Sequence, residues 1–454
     1  MTAQTPGSPS PSEFGISLFG RRRFIAGAAG ATGAAAVLAA CGSDDDGGAS
    51  SPATDAAGDD PPATEPSGDV GSTTFGSNYS DEKPRAGMAA AIEATGVATE
   101  INTIDHNSYQ ENFNTYVQQP DDVLAWFAGY RMRAFAAKGV VGDISDVWAD
   151  LDQSEGFKNA STGRDGKQYF VPFYFYAWGV HYRKSLFEEK GYEIPTDWAG
   201  FIALCEQMEA DGITPISAAN DGGWPQMGMF DMINMRTNGY DFHVSLMGGS
   251  ESWTDDRVKQ VFTNWMDLLP FYQPDANGRE WQAAANSLGA KETGMYLIGN
   301  FLTSNFDAET QQDIIDDIDF FPFPEIDPAY GQDAIEAPID GFMMAASPAN
   351  EDGAKALLRG LGSADAINAY IAVDPSVVAA ANGADTASYN ALQQKASDLV
   401  GSAKFISQFL DRDTDPAFAS EVVGKAIADF LSDPGSIDGL LATVEEQKAT
   451  FTFE

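Results

Sequence analysis

Basic residues are scarce in this chain. Lysine and arginine number 26 against 67 aspartate and glutamate, a net charge of −41. Nucleic-acid binding needs clustered Lys and Arg to displace counterions, so nucleic acid is excluded as a partner. The acidity reads instead as a heavily solvated surface suited to a salty medium. Cysteine is almost absent, with Cys41 and Cys205 the only two. Neither needs a disulfide partner, and Cys205 falls on the apolar face of an expected helix as a small buried thiol. Three histidines leave little material for a zinc site. Catalytic signatures are missing too: no His-Glu-x-x-His, no Gly-x-Ser-x-Gly after the N-terminal segment, no phosphate loop. No metal or cofactor is expected.

The first thing present is a targeting segment. Arg21-Arg22-Arg23-Phe24-Ile25 precedes an Ala/Gly-rich apolar run to Ala40. A basic region before an apolar run marks a secretory signal, and paired arginines followed by Phe-Ile resemble a twin-arginine export signal. The run is too short and too poor in Leu and Ile for a transmembrane anchor. It ends Leu38-Ala39-Ala40-Cys41, which is similar to a bacterial lipobox, whose cysteine becomes the lipidated first residue. Residues 1–40 are therefore expected to be a lipoprotein signal peptide, with Cys41 as the lipidation site. Residues 41–69 are, apart from Cys41 and Glu65, all Asp, Gly, Ser, Pro, Ala and Thr, a flexible tether that can bury no core.

The remainder is too long for one core, which stops growing near ~250–300 residues. Expected strands at 70–75, 97–104 and 123–127 alternate with helices ending near Thr95, at 109–118 and at 130–138. That alternation predicts α/β layers around a mostly parallel sheet. Tyr169–Lys184 is nearly all apolar or aromatic and too long for one ordinary strand of ~5–6 residues. It reads as an extended segment leaving one domain and entering another, with Tyr174, Tyr176 and Trp178 at the crossing, or else as a long core strand. Further on, Thr196 and Thr254 are expected helix caps, and Ala218–Pro225 an open loop carrying Trp224. Asp319–Phe323 is expected to be the return crossing, followed by a strand at 337–346 and then helices with polar loops.

Several pieces in this order resemble the family 1 extracellular solute-binding proteins of ABC importers, the maltose-binding-protein-like group. They are Pro120-Asp121-Asp122-Val123 before Trp126, Asp165-Gly166-Lys167-Gln168-Tyr169, Tyr182-Arg183-Lys184-Ser185-Leu186-Phe187 and Pro195-Thr196-Asp197-Trp198. Gly212-Ile213-Thr214-Pro215-Ile216, Pro322-Phe323-Pro324 and Asp433-Pro434-Gly435-Ser436 extend the likeness through the chain. The family often has Asn at Arg183 and Gly-Gly at Asp340-Gly341. The resemblance implies a two-lobe periplasmic-binding-protein-like fold, two α/β lobes joined by hinge crossings around a ligand cleft. Lobe 1 is expected at 70–175 and 325–372, lobe 2 at 176–324, and the helices of 373–454 mostly on lobe 2. It also implies an exported, lipid-anchored monomer that passes a small solute to ABC permease subunits.

A sugar presents apolar C–H faces and a rim of hydroxyls, which aromatic and polar side chains meet respectively. Aromatic residues expected on loops or strand ends are Tyr79, Trp126, Tyr130, Tyr176, Trp178, Trp224 and Phe301. Their polar neighbours are Asn78, Arg131, Asp221, Asn300 and Asp340. By resemblance, Trp126, Tyr176, Trp224 and Phe301 match cleft positions, and Asp411 matches a contact in related sugar binders. Trp281 and the other tryptophans are expected to pack in cores or on surfaces. Two alternatives stay open: a polyamine in an aromatic, acidic box, and a surface glycoside hydrolase needing two carboxylates ~5–9.5 Å apart. If the lipobox reading holds, Cys41→Ala leaves the exported chain unlipidated. Cell fractionation should then find it shed from membranes rather than retained.

Overall fold

The described residues of the computed structural model are 71–453, so the export segment, Cys41 and the tether lie outside them. In chain order the strands are β1 (Thr73–Ser77), β2 (Thr99–Thr103), β3 (Val123–Phe127), β4 (Val171–Phe175), β5 (Trp178–Arg183) and β6 (Thr214–Ile216). They continue with β7 (Thr293–Gly299), β8 (Ile318–Phe321), β9 (Ala334–Glu336), β10 (Ile339–Met344), β11 (Val378–Ala379) and β12 (Phe405–Ser407). Six of them form one sheet in the order β11-β4-β10-β3-β1-β2, and four form a second, β6-β7-β5-β8. The first sheet is parallel across β2, β1 and β3, and antiparallel across β3, β10, β4 and β11.

Burial explains the order. β3 (VLAWF) is buried along its whole length, as a central strand covered on both faces must be. β2 (TEINT) is largely exposed and polar, which blunts the open edge. Helices Glu82–Thr95 and Ala364–Val373 pack together, and helix Glu351–Leu361 covers β1, β3, β4 and β10. In the second sheet β7 is fully buried and carries β5 on one side and β6 on the other. Helices Trp198–Ala210, Trp224–Asn238 and Trp281–Gly289 cover it. Each sheet with its helices is one α/β lobe.

Tyr169–Lys184 resolves into β4 of the first sheet and β5 of the second, with Tyr176 and Ala177 alone between them. Asp319–Phe323 is different from the expected return crossing. Most of it is β8, the edge strand paired antiparallel to β5. The chain re-enters the first sheet only at Ile339. The segment before it has little regular structure, and Arg236 holds it. That buried guanidinium donates to the carbonyls of Phe323 (3.1 Å) and Ala334 (2.6 Å) and to Gln332 Oε1 (2.8 Å).

Three local expectations shift. The caps are Asp197 and Asp255, each one residue after the threonine expected, and each side chain accepts a backbone N–H of the first turn. Carboxylates outcompete neighbouring threonine hydroxyls there because the helix N-terminus carries partial positive charge. The helix expected at 109–118 is two short ones, His106–Glu111 and Phe113–Tyr116, split at Asn112. Trp224 lies in no open loop but opens helix Trp224–Asn238, followed by proline in its first turn. Arg183, where the resembled family often has Asn, pairs with Asp317 at 2.7 Å and donates to the Gly289 carbonyl. This departure serves the fold of the second lobe.

Replacing Arg236 with Met removes a buried cation and its bonds to the Phe323 and Ala334 carbonyls and to Gln332, leaving Gln332 Nε2 as the side-chain donor to Phe323. Each lost charge-assisted bond contributes about 1.5–3 kcal/mol, so a loss of roughly 3 kcal/mol or more is expected in urea denaturation.

Candidate functional site

A cavity of about 350 Å³ opens where the C-terminal end of β1, the N-terminal end of β10, the β4–β5 crossing and the turns after β6, β7 and β12 converge. Its volume is at the small end of the ~300–1,000 Å³ typical of small-molecule sites.

One wall is aromatic. The Trp178 ring is buried, standing edge-on to Trp224 at 6.3 Å and tilted against Phe409 at 5.0 Å. Phe301 meets Tyr176 at 5.1 Å and Trp281 at 5.3 Å, both edge-to-face. Trp224, Trp281 and Phe301 are only half-buried and keep ring surface open to the cavity. Trp178 can lie this deep because helix Trp224–Asn238 has glycine at 228. A Cβ there would sit 2.4 Å from the indole ring. On the far side Tyr79 packs edge-on to Tyr174 at 6.3 Å and to Tyr370 at 6.2 Å.

The opposite wall is charged. Arg412, in the short helix Leu410–Asp413, donates to Asp340 Oδ1 at 2.7 Å and to the Tyr176 hydroxyl at 3.0 Å. Its guanidinium also lies over the Phe127 ring at 4.0 Å. Burial raises the Asp340 pKa, and Arg412 works against that. Burial alone would favour neutral Arg412, but Asp340, Tyr176 and Asp411 outweigh it and hold the cation. Asp411 pairs with Arg131 through Oδ2 at 3.1 Å, while its buried Oδ1 has no hydrogen-bond partner in the protein. The indole N–H of Trp178 is likewise buried and unpartnered. An acceptor and a donor thus stand at the cavity without protein partners. A buried polar atom in that state costs stability until something bonds it.

His106 adds a third polar element. Its Nε2 lies 2.7 Å from Gln110 Nε2 and its Nδ1 3.4 Å from Asn78 Nδ2. Desolvation, and then the charge of Arg412, push its pKa down to about 4, so the ring is neutral at ordinary pH. Asp81, Asp105, Asp221, Glu280 and Asp374 also line the cavity. Carboxylates therefore far outnumber cations, a poor setting for an anionic ligand.

Nine residues singled out in the sequence line this cavity: Asn78, Tyr79, Tyr176, Trp178, Asp221, Trp224, Phe301, Asp340 and Asp411. Four do not. Trp126 is 2% exposed and stacked on Phe113 at 3.5 Å, in the core of the first lobe. Arg131 donates to Gln110 Oε1 at 2.6 Å and pairs with Asp411, so it supports cavity residues from behind. Tyr130 turns away and donates its hydroxyl to the Thr452 carbonyl at 3.4 Å. Asn300 is buried, and its backbone N–H donates to the Ala177 carbonyl, pinning the crossing. Arg412, His106, Gln110, Trp281 and Phe409 line the cavity but were not singled out, and Tyr174, expected at the crossing, lines it too. Trp281 carried a signal: it is the first residue of its helix, so its ring projects past the helix end. Among the described residues, no group of three or more His, Cys, Asp or Glu is arranged to hold a metal ion, and no helix is long and apolar enough to cross a membrane.

Residues 76–367 match the family described as bacterial extracellular solute-binding protein. An uncharacterized ABC transporter extracellular-binding protein of Pyrococcus horikoshii is 23% identical over 265 residues, 57% of this chain and 58% of that one. A probable sugar-binding periplasmic protein of Mesorhizobium japonicum is 23% identical over 191 residues, 40% of this chain and 44% of that one. The chain spans about half the length of the curated relatives it matches. Among solved structures, the bacterial solute receptor AcbH is 42% identical with a TM-score of 0.81, covering 84% of this chain and 98% of that one. Its reported substrate preference is exclusive for β-D-galactopyranose. A chitin oligosaccharide binding protein, at 18% identity and a TM-score of 0.76, covers 84% of this chain and 99% of that one and shares the fold.

Trp224→Ala removes open ring surface and packing from one wall. Stacking beyond area is worth about 0.5–1.5 kcal/mol and lost burial about 1.5–3, so ligand affinity should fall more than tenfold. The half-buried ring adds little to the empty fold, so apo stability should drop by about 1 kcal/mol or less. Titration calorimetry of the mutant beside an apo melt checks both.

Proposed function

The chain belongs to the bacterial extracellular solute-binding proteins, a family of receptors rather than enzymes, and from that premise we propose that it captures a neutral pyranose of the galactose type. The observation that carries this reading is the cavity itself. Half-buried rings and the unbonded Trp178 N–H form one side, and the other offers the Asp411 Oδ1 acceptor, which has no hydrogen-bond partner among the described residues. A pyranose answers both, with C–H faces toward the rings and hydroxyls that donate and accept toward Asp411, Asp340, Arg412 and neutral His106. The small volume suits one sugar ring better than a long oligosaccharide. The likeness to a receptor with a galactopyranose preference, at 42% identity, supports the same ligand class.

Asn78, Tyr79, Tyr176, Trp178, Asp221, Trp224, Phe301, Asp340 and Asp411 are proposed ligand contacts, with Arg412, His106 and Trp281 added. The lobes are taken as 70–175 with 325–372, and 176–324 with most of 373–454. The full protein is read as a monomer held at the membrane by lipid on Cys41, delivering its sugar to ABC permease subunits. The ring of acids gives a polyamine its one specific claim, but Arg412 at the centre of the polar wall stands against a bound polycation. Hydrolysis has no place in a receptor family.

Calorimetric titration should show one D-galactose bound per chain. D-galacturonate, which adds a negative charge, should bind at least tenfold more weakly, because like charges at one site each cost on the order of 1 kcal/mol or more. Saturation by spermidine and not by galactose would replace the sugar reading.

A further inference from the structure

Helix Leu410–Asp413 supplies two groups of the polar wall, Asp411 and Arg412. It is one turn long, has no side-chain cap, and is entered through Phe409 at φ 115°, a strained value for a residue other than glycine. Such a turn does not hold its own direction. What holds it lies beneath. The Asp231 carboxylate, from helix Trp224–Asn238, accepts the Leu410 backbone N–H at 2.6 Å. Asp413 accepts the Gln408 N–H at 2.9 Å and the Ser407 hydroxyl at 3.1 Å. Glu336, at the end of β9, stands opposite Ser407 in the β9–β12 pair that leads into the turn.

This layer is buried and acidic. Asp231, His243 and Glu336 are completely buried, and Asp231 Oδ1 and both Glu336 carboxyl oxygens have no hydrogen-bond partner in the protein. His243, from helix Tyr240–Met247, brings Nε2 within 3.9 Å of Asp231 and 3.4 Å of Ser407. Its Nδ1 accepts from Asn234 Nδ2 at 3.1 Å, so the ring is the neutral Nε2–H tautomer. Arg412 and Asp411 face the layer from the turn itself, and Arg133 and Tyr240 act on Asp413 from the two helices beside it. No cation is paired directly to Asp231 or Glu336.

We propose that Asp231 is a positioning residue for ligand capture: buried beneath residues 408–413, it fixes that backbone through the Leu410 N–H and so aims Asp411 and Arg412 into the cavity, while Glu336 is the buried acid beside it that competes with it for charge. The proposal rests on the sugar-receptor reading for its ligand but not for its mechanics. Two unpaired carboxylates cannot both ionise in such a place. Burial pushes both above the ordinary carboxylate range, and the Asp231 charge pushes Glu336 further. Burial also lifts Asp413 to about 6. The sign follows from linkage. Groups with raised pKa values in the folded state give their full support below the unfolded value of ~4, and that support is lost as pH rises through the folded values. The turn is therefore firmest in acid and loosens toward alkaline pH.

The test uses the intact receptor, Glu336→Gln and Asp231→Asn, both close in shape to the native residues. D-galactose titrations from pH 5 to the alkaline limit of the folded chain should show affinity falling severalfold in the native chain as pH rises. Glu336→Gln should flatten that profile. Hydrogen exchange of the Gln408 and Leu410 amides in the sugar-free protein should show protection lost across the same range in the native chain and kept in Glu336→Gln. Asp231→Asn keeps a neutral acceptor for the Leu410 N–H, so it should hold Leu410 protection across the range as Glu336→Gln does. Failure of galactose to bind at any pH sinks the ligand reading alone, and the exchange data still decide the positioning role. Native and Glu336→Gln profiles that coincide in exchange would overturn it.

Discussion

A buried guanidinium cannot stand alone, and Arg412 makes that constraint the centre of this structure. Breaking such a pair costs about 3–5 kcal/mol because the partner charge is left uncompensated. Its partners come from three separate parts of the chain: Asp340 on β10, Tyr176 at the crossing and the Phe127 face at the end of β3. Satisfying one cation therefore fixes the first sheet, the hinge and the 408–413 turn against one another. The cavity is the space beside that junction. Asp340 stands where the resembled family commonly has glycine, and here it is the principal carboxylate partner of Arg412. The neighbouring Gly341 is required for contact rather than for turn geometry, since a Cβ there would meet the Val171 carbonyl at 2.1 Å. The sheet register shifts between these two residues.

The lobes and their crossing were legible because apolar runs have a length and a period. Val123–Phe127 reads as a strand from composition alone and is fully buried. Rings near helix and strand ends were also legible, which is why buried Tyr176 and Trp178 and half-buried Trp224 and Phe301 fall together. Trp126 was misplaced because an all-apolar strand gives no sign of which face meets the cleft. Its ring turned to Phe113 and the core. Arg412 was not legible at all. Its partners are 72 and 236 residues away in sequence, and no local pattern distinguishes a structural arginine from a solvated one. The caps slipped by one residue because Thr-Asp pairs offer two adjacent acceptors, and only the geometry of the first turn chooses between them.

Acidity acts at two depths. On the surface it is solvated and screened over ~8–10 Å at ordinary salt. Around the cavity and beneath the 408–413 turn it is taken out of water, where each carboxyl must be paired, bonded or protonated. Asp340 is paired, Asp411 is half-paired, and Asp231 and Glu336 have no cation bonded to them. The graded order runs from the binding wall inward.

Between β4 and β5 the chain has two residues, and one of them, Tyr176, also lines the cavity and bonds Arg412. Any rotation of one sheet relative to the other turns about those peptide units. The same side chain therefore belongs to the axle and to the ligand's seat. A substitution at Tyr176 cannot retune grip without changing the swing of the lobes, nor the swing without changing grip. For a lineage drifting toward a new solute, that joint closes off one route. Specificity must be rewritten from the far rim, at Trp224, Trp281 and Asp221, where side chains can change without moving the pivot.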